Sequence, residues 1–125
     1  MLIISFAWTV ASFQAGFKTC TRRSWDNAYA MKFHYGMVVQ AWDKLPRAGG
    51  KQVGLIRLTA TPYKEGTSHI PDEDYENEGL AWMEEQGLKI RGMEPREFWE
   101  QWKAADELVY VVRFKKLEAS GLFYN

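Results

Sequence analysis

The spacing of apolar and polar positions changes several times along this chain, and each change marks an element. Leu2–Phe6 is a short apolar run and predicts a first strand. Trp8–Ala15 places Trp8, Ala11, Phe13 and Ala15 at spacings that suit a short helix, stopped by Gly16. Phe17–Trp25 is polar and basic and reads as a connector. Asn27–Tyr35 carries Ala28, Tyr29, Met31 and Phe33 ahead of Gly36 and predicts a helical turn. Met37–Trp42 is rich in β-formers and predicts a strand. The loop Asp43–Gly50 separates it from a longer strand over Gln52–Pro62, where Gly54 marks a bulge or a close backbone approach.

The second half turns helical and then returns to strand. Pro71, followed by Asp72, Glu73 and Asp74, suits a helix N-terminus, because the macrodipole favours acids there. Leu80, Trp82 and Met83 give that helix an apolar face, and Gly87 ends it. Glu94-Pro95 opens a second helix with Phe98 and Trp102 on one face and Trp99 beside them. Leu108–Leu117 is the clearest strand, with Val109, Val111 and Arg113 on one side and Tyr110, Val112 and Phe114 on the other. This order predicts an α+β domain: a small curved sheet or barrel with the late helices packed at one end.

Composition narrows the class. A length of 125 residues suits a single domain over 1–125. Six Trp, six Tyr and seven Phe exceed what a small surface can expose, so most fill the core and a few remain to stack on a flat ligand. Cys20 is the sole cysteine, which excludes an internal disulfide and a thiolate metal site; it reads as a buried thiol. His34 and His69 lie far apart, without ligand spacing, so no metal or other cofactor is expected. Met1–Ala15 has no basic residue before Lys18 and is too short and polar to be a membrane span. A cytoplasmic protein without a membrane partner is the expectation.

Charge is unevenly placed. Residues 1–64 hold nine Lys or Arg against Asp26 and Asp43, a balance of +7. Residues 65–125 hold seven basic residues against fourteen acids, a balance of −7. Kept apart in space, the halves would present a basic face that attracts phosphate; interleaved, they would neutralise each other. The basic density peaks in Gly16–Trp25, where Lys18, Arg22 and Arg23 sit close together. Arg22 and Arg23 suit an anion because a guanidinium bonds two oxygens at once, and Trp25 offers a stacking face for a base. The same stretch also reads as a solvated connector with a core tryptophan. Lys44 and Arg47 in the following loop would extend a basic groove, or stay solvated; Arg57 and Arg113 are expected to pair with acids.

With those residues in view, the chain resembles the ASCH family of the PUA-like superfamily. Gly16, Lys18, Thr21 and Arg23 (or Arg22) match its Gly-x-Lys-x-x-Thr-x-Arg pattern, and Glu78-Gly79 matches its later Glu-Gly pair. The resemblance implies a PUA-like β-barrel with helices over one end, a cleft between them, and an RNA or nucleoside/nucleotide partner. Some small bacterial members with matching Lys, Thr and Glu positions hydrolyse N4-acetylcytidine, and others are ribonucleases. By that pattern Lys18, Thr21 and Glu78 would be catalytic. Ser24–Tyr35 and Gly87–Asp106 make this chain longer than the smallest members. Three functions follow: a module that reads a base or nucleotide in a basic cleft, the reading the fold supports first; an amidohydrolase on an acylated cytidine; and a ribonuclease. In the second, Thr21 attacks an acyl carbon, Lys18 acts as base or oxyanion partner, and Glu78 orients the lysine or serves the leaving amine.

Overall fold

The computed structural model describes residues 1–118. Six strands form one curled sheet: β1 (Ile3–Ser5), β2 (Cys20–Arg23), β3 (Val38–Trp42), β4 (Gln52–Leu58), β5 (Tyr63–Gly66) and β6 (Leu108–Lys116). The order is β1-β3-β4-β6-β2, with β5 also paired to β6. β1 runs parallel to β3 and the other pairings are antiparallel. β6 organises the sheet, because β4 and β5 pair with its two halves and β2 pairs along its middle. That central place explains why Val111 and Val112, on opposite faces, are both buried.

The helices are α1 (Val10–Gln14), α2 (Asn27–Ala30), α3 (Asp74–Asn77), α4 (Leu80–Glu85) and α5 (Pro95–Ala105). None among the described residues is long and apolar enough to cross a membrane. Two apolar clusters hold the fold together. One gathers Ile4, Phe6, Phe13, Val39, Ile56 and Phe114 inside the curl. The other gathers Ile70, Tyr75, Leu80, Met83, Ile90 and Trp99 among the later helices. The curled half-barrel with helices against it is the mixed α+β architecture the pattern predicts.

Three local expectations change. The basic connector contains β2, a strand whose polar side chains are mostly buried, so no apolar alternation betrays it. β5 falls where no strand is expected, since only Tyr63 in it is a strong β-former. The single helix expected from Pro71 to Gly87 is two short ones, broken at Gly79, whose φ of 92° is left-handed. The expected bulge lies one residue before Gly54. Ala41 sits opposite Gly54 but Trp42 opposite Gln52, leaving Val53 as the extra residue of a bulge. A Cβ on Gly54 would also lie 3.4 Å from the Phe13 ring.

Candidate functional site

β2 presents its residues alternately. Arg23 Nη1 donates to Thr21 Oγ1 at 2.8 Å on one side, and Arg22 Nη1 reaches the Cys20 Sγ at 3.4 Å on the other. Lys18 lies two residues before the strand and is only 2% exposed. Its Nζ donates to the backbone carbonyl of Glu78 at 2.9 Å and to Glu78 Oε1 at 3.0 Å.

The break between α3 and α4 delivers Glu78 to that lysine. Left-handed Gly79 turns the chain directly after Glu78. Ser12 Oγ donates to the Gly79 carbonyl at 2.8 Å, and the Thr19 amide donates to the Asn77 carbonyl at 2.8 Å. A Cβ at Gly79 would lie 2.4 Å from the Ser12 Cβ, so no larger residue fits without movement. The Glu-Gly pair is thus a geometric requirement: the glycine permits the turn and the close approach, and the turn aims the glutamate inward.

Behind the lysine the charges form a closed network. Glu78 Oε2 accepts from Arg22 Nη1 at 2.8 Å. Arg22 also donates to Glu65 Oε1 at 2.9 Å and to Asp74 Oδ2 at 2.5 Å. Arg113 donates to both oxygens of Asp74, at 3.0 and 2.8 Å. Every buried side-chain nitrogen and oxygen in the described residues has a partner, as a stable buried network requires.

Protonation follows from this packing. Burial lowers the pKa of Lys18, and the nearby Arg23 adds to the lowering, against the upward pull of Glu78. Burial also pushes the Cys20 thiol up to about 12, reinforced by Glu78, so the thiol is inert. For Asp74 burial acts upward, but hydrogen bonds from Arg113, Arg22 and Asn77 outweigh it and hold the carboxyl at about 2.

Lys18, Thr21, Arg22, Arg23 and Glu78 line one cavity of about 170 Å³. Phe6, Trp8, Thr9, Leu80, Phe98 and Trp102 complete its walls. Phe6 comes from the sheet core and Leu80 from the helical one, so the cavity lies where the two cores meet. The remaining expected residues lie elsewhere. Trp25 stacks on Phe33 at 4.4 Å between ring centroids and lines a second opening, of about 460 Å³, with Ile3, Ser5 and Arg23. Lys44 and Arg47 are exposed on their loop and line neither opening. Arg22 has no side-chain surface to offer a phosphate, because three carboxylates hold it. Arg113 pairs with an acid as expected, whereas Arg57 donates to the Gly36 carbonyl instead. Both histidines are exposed.

Asp74 and Glu65 were hidden in the sequence among many acids, and Asp74 proves fully buried. The wall residues Phe6 and Trp8 carried no distinguishing spacing.

The fold and cavity therefore define a small α+β domain with a curled sheet and a buried Lys–Glu pair beside a threonine. Neither a family model nor a curated protein matches the chain. Among solved structures it is similar to protein EF3133 from Enterococcus faecalis V583, described with the family model DUF984. The TM-score is 0.54 and the identity 17%, over 90% of this chain and 74% of that one. That likeness shows a shared fold and says nothing of chemistry.

Proposed function

We propose that this protein is an amidohydrolase that removes the acyl group from an exocyclic nitrogen of a pyrimidine, of the N4-acetylcytidine type. The observation that carries the reading is the coordination of Lys18. A neutral lysine amine has two N–H bonds and one lone pair. Once Lys18 has lost a proton, the Glu78 carbonyl and carboxylate accept its two N–H bonds, which leaves the lone pair for a proton from the cavity. Thr21 lines the same cavity. Because Thr21 Oγ1 already accepts from Arg23, its own proton is free to be donated.

Hydrolysis passes through an acyl–threonine intermediate. Lys18 takes the Thr21 hydroxyl proton as the oxygen attacks the acyl carbon, forming a tetrahedral oxyanion. The C–N bond breaks, the leaving amine receives the proton from Lys18, and an acyl–threonine ester remains. A water then gives a proton to Lys18 and attacks the ester; the carboxylic acid departs and Lys18 returns the proton to Thr21. Glu78 is the positioning residue that keeps the lysine aimed. The aromatic walls suit a planar ring, and the small volume suits one ring rather than a stretch of polynucleotide. RNA binding through a basic face draws less support, because Arg22 is committed to carboxylates and Arg23 bonds inward, its Nη2 to the Ser5 carbonyl. The Lys-Thr-Arg and Glu-Gly pattern supports the ASCH and PUA-like assignment on the same grounds.

The test is release of cytidine and acetate from N4-acetylcytidine. Thr21→Ala is expected to lose at least about a thousandfold in kcat/KM while Thr21→Ser retains measurable turnover. The wild-type rate should climb with pH, as Lys18 loses its proton, with a midpoint below the free-lysine value of 10.5. No turnover by the wild type, or full turnover by Thr21→Ala, overturns the reading.

A further inference from the structure

A further cavity, of about 390 Å³, adjoins the one beside Lys18 and shares Trp8, Phe98 and Trp102 with it. Ser24, Arg91, Met93, Gln101 and Glu107 form much of the rest of its lining. Trp8 is 55% exposed, and the Arg91 guanidinium sits over its ring at 4.8 Å. Among the described residues Arg91 forms no ion pair.

Arg91 is held by an unfavourable backbone conformation. Arg91 has a φ of 52° and Gly92 a φ of 79°, the signature of a primed two-residue turn. The turn is closed by Ile90 N to Met93 O at 2.8 Å and Met93 N to Ile90 O at 2.9 Å. Such turns favour Asn-Gly or Gly-Gly, and arginine in the left-handed region is disfavoured. Ala7, the residue before Trp8, is also left-handed, at 46°. Of the three non-glycine residues with positive φ among the described residues, Arg91 lines this groove and Ala7 directly precedes its Trp8. Residues held in this sparsely populated region cluster at functional sites.

Resting on the reading above, we infer that this groove binds the ribose and 5′-phosphate of the substrate, with Arg91 as the phosphate ligand, so that the enzyme prefers a nucleotide to a nucleoside. A ring seated beside Lys18 must send its N1 substituent out of a cavity too small to contain it. The wall shared by the cavities is aromatic and supplies a surface for the sugar. Gln101 and Glu107 supply acceptors for ribose hydroxyls. Arg91 is a cation free to meet a phosphate, and stacking on Trp8 fixes its plane for a bidentate contact.

The experiment is titration of tryptophan fluorescence with cytidine and with cytidine 5′-monophosphate, in the wild type and in Arg91→Gln. Neither ligand carries an acyl group, so the result is independent of hydrolysis. The wild type is expected to bind the monophosphate about tenfold more tightly than cytidine. Arg91→Gln should remove that preference and leave cytidine binding unchanged, with the same melting temperature as the wild type. Equal affinities in the wild type, a preference that survives Arg91→Gln, or no binding of either ligand overturns the inference. If the preference holds but N4-acetylcytidine is not hydrolysed, the amidohydrolase reading fails alone.

Discussion

Asp74 illustrates how much one carboxylate can hold. It is fully buried and accepts from Arg22, Arg113 and Asn77, which joins α3 to β2 and β6. Removing its charge leaves Arg113 without an acid and Arg22 with one fewer. Asp74→Asn is expected to destabilise the protein by about 3 kcal/mol, measured by urea denaturation at neutral pH. The folded carboxyl titrates at about 2, below the ordinary value of about 3.9. A depressed acid stabilises the fold fully above its unfolded pKa and loses that contribution as pH falls through its folded one. Wild-type stability should therefore drop between about pH 4 and pH 2, and Asp74→Asn should show a smaller drop; equal slopes would refute the assignment. In the sequence this residue was one acid in a run with Asp72, Glu73 and Glu76. Nothing local separates a buried member of such a run from solvated ones, because its partners lie 39 and 52 positions away.

Among the elements, the shortest linkages decide the site. α3 and α4 would read as one helix but for Gly79, whose left-handed turn sets Glu78 facing Lys18. Gly79→Ala brings both a positive φ penalty and a clash with Ser12. Its expected cost is about 3 kcal/mol or more in thermal or chemical unfolding, together with loss of the Lys18–Glu78 contact in a crystal structure of the variant. A variant of wild-type stability would mean that the turn has another solution. Elements with apolar periodicity were legible: β3, β4, β6 and α5 fall where the pattern puts them. β2 was not, because periodicity reports burial of apolar groups, whereas this strand buries Thr21, Arg22 and a neighbouring lysine by pairing their polar atoms. The resemblance to the ASCH pattern, not periodicity, pointed to Lys18, Thr21 and Glu78.

For the whole molecule, the unequal charges of the two halves meet inside the fold. Lys18, Arg22 and Glu78, and Arg22, Asp74 and Glu65, pair residues from opposite sides of the chain's midpoint. The curl leaves β1 and β2 as the two margins of the strand path, and the Arg23 guanidinium spans them by donating to the Ser5 carbonyl. That bond clasps the open seam of the half-barrel. An unguarded strand margin is a template on which another polypeptide can add. Arg23→Leu should accordingly self-associate more than the wild type at matched concentration, read by light scattering over a dilution series; identical scattering would remove the clasp from consideration. The guanidinium that bonds the Thr21 oxygen would then also keep neighbouring copies from knitting into the sheet, so that the proposed turnover and the solubility would be lost through the same substitution.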